Sequence, residues 1–95
     1  MKLIVVEDEK IIRTGLLKHV PWQRLGVSEV EAAANGEEAL AKTENFRPDI
    51  VLSDIRMPGM SGVDLCRKLR EKFPEIEIIF STGYADTVSY THLRA

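Results

Sequence analysis

The sequence predicts one α/β domain built on a doubly wound parallel sheet, and three observations carry that prediction. Short runs dominated by Val, Ile and Leu suit strands covered on both faces: Leu3–Val6, Ile50–Leu52 and Ile76–Phe80. Between them lie segments whose apolar residues recur at helical spacing, so strand and helix alternate. Acids and turn formers follow directly on the strand-like runs, where open α/β sheets bind their ligands.

Leu3–Val6 is the first strand and ends in Glu7-Asp8-Glu9. Ile11, Ile12, Leu16, Leu17 and Val20 then recur at helical spacing, with Asp8 as the expected cap and Pro21 as the stop. Trp22–Gly26 reads as a loop, and Val27–Ala33 as a modest second strand. Asn35-Gly36 is a turn, and Gly36, Ala39, Leu40 and Thr43 trace a short helix face that Arg47-Pro48-Asp49 breaks. Ile50–Leu52 is the third strand and runs into Ser53-Asp54. After the turn Met57-Pro58-Gly59, Ser61 caps a third helix with the face Gly62, Leu65, Cys66, Leu69 and Phe73, closed by Pro74. Ile76–Phe80 is the fourth strand, followed by Ser81-Thr82-Gly83.

Composition bounds the function. With 95 residues there is room for one small core. A net charge of −2 and the lack of a polybasic run argue against a nucleic-acid or membrane surface on this segment. Cys66 is the single cysteine, so no internal disulfide forms. The N-terminal apolar run is too short for a signal peptide or a membrane span, and a cytoplasmic protein is expected.

The chemistry concentrates in the acids. If strands one and three are neighbours across the switch in strand order, Glu7, Asp8 and Asp54 converge. Crowded carboxylates raise one another's pKa values or attract a cation, and hard oxygen ligands with open positions suit Mg²⁺. The N-terminal acids alone are equally explained as a solvated helix start. That reading leaves Asp54, at the same end of another buried strand, without an explanation. Thr82 ends the fourth strand in the same place, where a hydroxyl can donate to a phosphoryl oxygen; taken singly, it reads better as an ordinary strand-end threonine.

These segments together resemble the response-regulator receiver domains of two-component systems. Val5-Val6-Glu7-Asp8-Glu9 is similar to their acidic opening, Pro48 through Gly62 to their phosphorylation segment, and Ile78 through Tyr84 to their fourth strand and switch hydroxyl. The resemblance covers residues 1–87 and implies a flavodoxin-like (CheY-like) sheet of order 2-1-3-4-5. It also implies the roles. Asp54 is the phosphoacceptor, loaded by a histidine kinase. Asp8, Asp54 and the Arg56 backbone carbonyl bind Mg²⁺, Glu7 acts through a metal-bound water, and Thr82 is the switch hydroxyl. The loop Val20–Gly26 is similar to receivers that precede an AraC-type helix-turn-helix output, which implies a transcriptional output domain outside this chain and a possible homodimer. Pro58 and Gly62 are expected to shape the loop beside the site. Asp49 reads as a turn residue, Cys66 as core, and neither His19 nor His92 as a ligand.

The sequence also departs from the family. No lysine follows Lys72 to fill the fifth-strand lysine role, and the aromatic partner of the switch hydroxyl is missing, with Tyr84 misplaced for it. Val88–Ala95 resembles translated read-through of a transposase-type sequencing adapter, so residues 88–95 are expected to be a non-native tail on a receiver that is incomplete at its C-terminus. Two other readings compete. An aspartate-nucleophile phosphotransferase or phosphatase on a related sheet would carry a second acid two residues after the nucleophile, where this chain has Arg56. A phosphorylation-independent interaction domain would usually lack one of the acids.

Overall fold

The computed structural model describes residues 1–81; Thr82, Tyr84, His92 and the 88–95 tail lie outside the described residues. Four strands alternate with three helices: β1 (Lys2–Val6), α1 (Lys10–His19), β2 (Glu29–Ala33), α2 (Gly36–Phe46), β3 (Ile50–Asp54), α3 (Gly62–Lys72) and β4 (Glu77–Ser81). All described strand pairs are parallel, in the order β2-β1-β3-β4. The chain leaves β1 toward β2 on one side and returns to β3 on the other, so the order reverses between β1 and β3. The predicted doubly wound sheet is therefore present through its fourth strand.

Alternation along the strands divides the core into two layers. Ile4, Val6, Val51, Ile78 and Phe80 face α2 and α3 and pack with Ala39, Leu65, Cys66 and Leu69. Leu3 and Val5 face the other way, with Val27, Leu16, Trp22, Ile50 and Leu52 around them. Cys66 is core, as its place on the α3 face predicts.

Several local expectations need correction. Glu9, not Asp8, occupies the α1 N-cap, and it makes no side-chain capping bond. The Asp8 carboxylate is instead turned to the neighbouring acids. The α1 face expected from Ile11, Ile12, Leu16, Leu17 and Val20 has no buried residue among the described ones, and Ile11 is 86% exposed. The reason is angular. Leu16 packs against the sheet layer, Ile12 at the margin of that face is still 37% exposed, and Ile11 lies about 140° around the helix from Leu16. Trp22–Leu25 is not an open loop but a 3-10 turn, closed by Gly26 at φ 86° and tied by Trp22 Nε1 to Leu16 O at 3.0 Å. The second strand starts at Glu29, with Val27 buried in the turn before it. Asn35 is more than a turn residue. Its side chain accepts from Glu38 N at 2.8 Å, and Glu38 Oε2 reaches back to Ala34 N at 3.2 Å. Ser61 caps α3 as expected, accepting from Asp64 N at 3.1 Å.

Asp49 also does more than turn the chain. Its carboxylate accepts from Lys2 N at 2.8 Å, its own N–H donates to Lys2 O at 2.8 Å, and its carbonyl accepts from Glu77 N at 3.0 Å. It thus ties the entrances of β1, β3 and β4 together and helps fix their register.

Gly62 marks where α3 meets the end of β3. A Cβ there would sit 2.4 Å from the Asp54 carbonyl oxygen and 3.0 Å from Ile55 Cα. Neither backbone atom can yield without moving the strand end. Gly15, inside α1, meets nothing closer than His19 Cδ2 at 4.0 Å. Gly62→Ala is therefore expected to destabilise the fold by about 1–3 kcal/mol, and Gly15→Ala to stabilise it by about 0.5–1 kcal/mol. Thermal melting of the two variants beside the parent checks this; equal effects would contradict the packing described.

Candidate functional site

The parallel register builds the site. Val6 pairs with Ser53 across β1 and β3, so the next residues, Glu7 and Asp54, leave adjacent strands at the same level. Glu7 shares the parity of Leu3 and Val5, and Asp54 that of Ile50 and Leu52, so both carboxylates emerge on the same face. Asp8 follows in the β1–α1 connection. Carboxylate oxygens of Glu7, Asp8 and Asp54 lie within 4.8 Å of one another. The convergence expected from the sequence is present.

The three acids are not equivalent. Glu7 is only 3% exposed, whereas Asp8 and Asp54 are half-buried. Burial pushes the Glu7 carboxyl up from 4.5 to about 7, with Asp8 and Asp54 adding to the rise and a hydrogen bond from Glu9 N opposing it. That bond, Glu9 N to Glu7 Oε2, is 3.0 Å. None of the three acids makes an ion pair with a described residue. The oxygen-only donor set, crowded and with no ion pair to a carboxylate among the described residues, fits a hard divalent cation.

The surroundings fix the strand ends. Glu7 N donates to Ala33 O at 3.0 Å, and Gly62 N to Ile55 O at 2.9 Å. Ser53 Oγ donates to Asp54 O at 2.9 Å, and Arg56 N reaches Asp54 Oδ1 at 3.3 Å. Arg56 is exposed, and its side chain makes no described contact with the acids. Ser81, the last described residue, stands opposite Asp54 in the β3–β4 register, and Thr82 follows it in sequence. Sequence reasoning missed Arg13. Its guanidinium donates to Glu7 O at 2.8 Å, and the only hint was its spacing from Asp8, one helical turn into α1.

Comparison with known proteins adds the decisive observation: the family described as response regulator receiver domain matches residues 3–94. The chain belongs to the response regulator receiver family. A two-component transcriptional regulator AraC from Clostridium phytofermentans superposes with a TM-score of 0.81 at 31% identity, covering 92% of this receiver and 70% of that chain. The response regulator TrrA from Thermotoga maritima, solved in complex with Mg²⁺–BeF, is 42% identical with a TM-score of 0.74, covering 88% and 70%. Among curated proteins, the transcriptional regulatory protein YesN of Bacillus subtilis is 35% identical over 85 residues, which is 90% of this receiver and 23% of YesN. The receiver spans between about a quarter and two fifths of the curated relatives it matches. No helix among its described residues is long and apolar enough to cross a membrane.

The raised Glu7 pKa gives stability a pH dependence of definite sign. Between about pH 4.5 and 7 the folded chain keeps a proton that the unfolded chain has lost. Folded protein then binds more protons, so this contribution falls as pH rises through the window and levels off above it. Glu7→Gln removes it. Without divalent cations, the variant is expected to gain stability over the parent as pH rises, by up to about 3 kcal/mol near pH 8 and by nothing near pH 4. Melting curves across that range check this; an advantage independent of pH would contradict it.

Proposed function

We propose that this chain is the phosphoryl-accepting domain of a two-component response regulator, with Asp54 as the acceptor. The observation that carries the reading is the meeting of Glu7, Asp8 and Asp54 at the carboxyl ends of two adjacent parallel strands. Asp54 is the member on β3, half-exposed and held by Arg56 N, so its free oxygen can face an incoming donor. Asp8, Asp54 and the Arg56 carbonyl would hold Mg²⁺, with Glu7 acting through a water. Bound there, Mg²⁺ supplies the positive charge that lets a phosphoryl group approach three acids. TrrA, a relative solved with Mg²⁺–BeF, supports this choice of cation.

In the proposed reaction an Asp54 carboxylate oxygen attacks the phosphorus of a kinase phosphohistidine in line. The new O–P bond forms as the P–N bond breaks, and the imidazole departs with the electron pair. Little else is asked of the protein than position and charge. Thr82 would donate its hydroxyl to a phosphoryl oxygen and draw the following loop with it, biasing a two-state surface. The partners are then a histidine kinase and an output domain. The transcriptional regulators among the relatives, and the AraC regulator among the solved structures, favour an AraC-type helix-turn-helix output acting in the cytoplasm. An aspartate-nucleophile phosphotransferase is disfavoured, since Arg56 stands where its second acid would be.

Labelling with a small phosphodonor and Mg²⁺ tests the assignment. Asp54→Asn is expected to abolish the acyl phosphate, and Asp8→Ala to weaken Mg²⁺ binding. Label that survives in Asp54→Asn, or an unchanged Mg²⁺ affinity in Asp8→Ala, would overturn the site.

A further inference from the structure

Three successive carbonyl oxygens at the end of β1 accept hydrogen bonds from one residue. Arg13 N donates to Glu9 O at 2.9 Å. The Arg13 guanidinium Nη1 donates to Glu7 O at 2.8 Å and, more loosely, to Asp8 O at 3.4 Å. The first of these is an ordinary helix bond. The other two are not, because they bind a side chain of α1 to the connection that carries the acids. That connection has few other ties. Glu7 N is held by Ala33 O, and Glu9 N turns back on Glu7 Oε2. The α1 N-cap, Glu9, makes no side-chain bond, so among the described side chains Arg13 is what ties the start of α1 to the end of β1.

Arg13 has no competing work. It is half-buried and makes no ion pair with a described residue. A guanidinium lodged in the low-dielectric end of a sheet is a strong donor, and its planar fork constrains an acceptor more tightly than an ammonium does. The carbonyls it takes belong to the peptide planes on either side of Asp8. Rotation of those planes is what would swing the Glu7 and Asp8 carboxylates away from Asp54.

The geometry points to Arg13 as a positioning residue for the acidic site. It acts through the backbone of Glu7 and Asp8 to hold their carboxylates toward Asp54. Groups that orient metal ligands from behind typically matter by about 10–100-fold in metal affinity. Arg13 orients through peptide planes rather than through a ligand atom, so the low end of that range is expected. The role rests on reading the site as a Mg²⁺-dependent phosphoacceptor.

The test compares the parent chain with Arg13→Ala and Arg13→Lys by calorimetric titration with Mg²⁺ and by melting in its absence. A short acyl phosphate then serves as donor at saturating Mg²⁺. Arg13→Ala is expected to raise the Mg²⁺ Kd about tenfold. Arg13→Lys, with one donor site in place of a fork, should fall between Arg13→Ala and the parent. Phosphodonor KM at saturating Mg²⁺ should stay at the parental value, because Arg13 does not face the donor. A merely structural role would instead lower the melting temperature and leave the Mg²⁺ Kd of the folded variants unchanged, and that result overturns the proposal. If Arg13→Ala does not fold, Arg13→Lys decides, and parental Mg²⁺ affinity in it counts against the role. A parent chain that binds no Mg²⁺ overturns the functional reading and this role together. Parental binding that survives intact in both variants overturns this role alone.

Discussion

Repulsion among three carboxylates at the ends of two adjacent strands is the constraint on which the rest of this receiver depends. The sheet imposes it. Once Val6 pairs with Ser53 in parallel register, Glu7 and Asp54 emerge side by side, and Asp8 follows within the same few ångströms. Water cannot relieve Glu7, which is 3% exposed, so the chain meets the cost by keeping a proton on it up to about pH 7. A folded state left with such a site is less stable than it could be. On the proposed function, the gain is a place that accepts positive charge, and behind it a phosphoryl group.

Such a site works only if the strand ends cannot drift apart, and the surrounding structure supplies that rigidity. The layer against α2 and α3 is tightly buried, with Ile4, Val51, Leu65 and Leu69 almost free of solvent. Gly62 lets α3 begin against the Asp54 carbonyl, where any side chain would intrude. Asp49 joins three strand entrances at the far end of the sheet, and so sets the register that aligns the acids at this end. The layer against α1 is looser, with no buried residue on that helix among those described. Rigid and permissive sides thus meet at the acids.

Much of this was legible in the residue pattern. The Leu3–Val6 and Ile50–Leu52 runs identify buried strands because nothing but burial on both faces tolerates them, and the acids that follow them locate the site. The α3 face from Gly62 to Leu69 and the Ser61 cap follow from spacing alone. What escaped was set by geometry between segments. Asp8 looks like a cap from sequence, yet its carboxylate turns to Asp54, and Glu9 stands at the cap position. Ile11 looks like a core residue, yet it lies well around the helix from Leu16, the α1 residue that packs on the sheet. Asp49 looks like a turn residue because its partners, Lys2 and Glu77, are distant in sequence. Arg13 was invisible for a related reason: its partners are backbone oxygens, which carry no sequence signature.

The account turns on the acids forming one repulsive cluster that a divalent cation relieves. Melting of the parent and of Asp54→Asn near neutral pH, each with and without Mg²⁺ at matched ionic strength, tests it most directly. The account predicts that Asp54→Asn melts higher than the parent without Mg²⁺, because a charge that crowds Glu7 and Asp8 is gone. It predicts also that Mg²⁺ raises the parent's melting temperature by mass action and raises the variant's far less. A variant that melts lower than the parent and keeps the full Mg²⁺ response would contradict it.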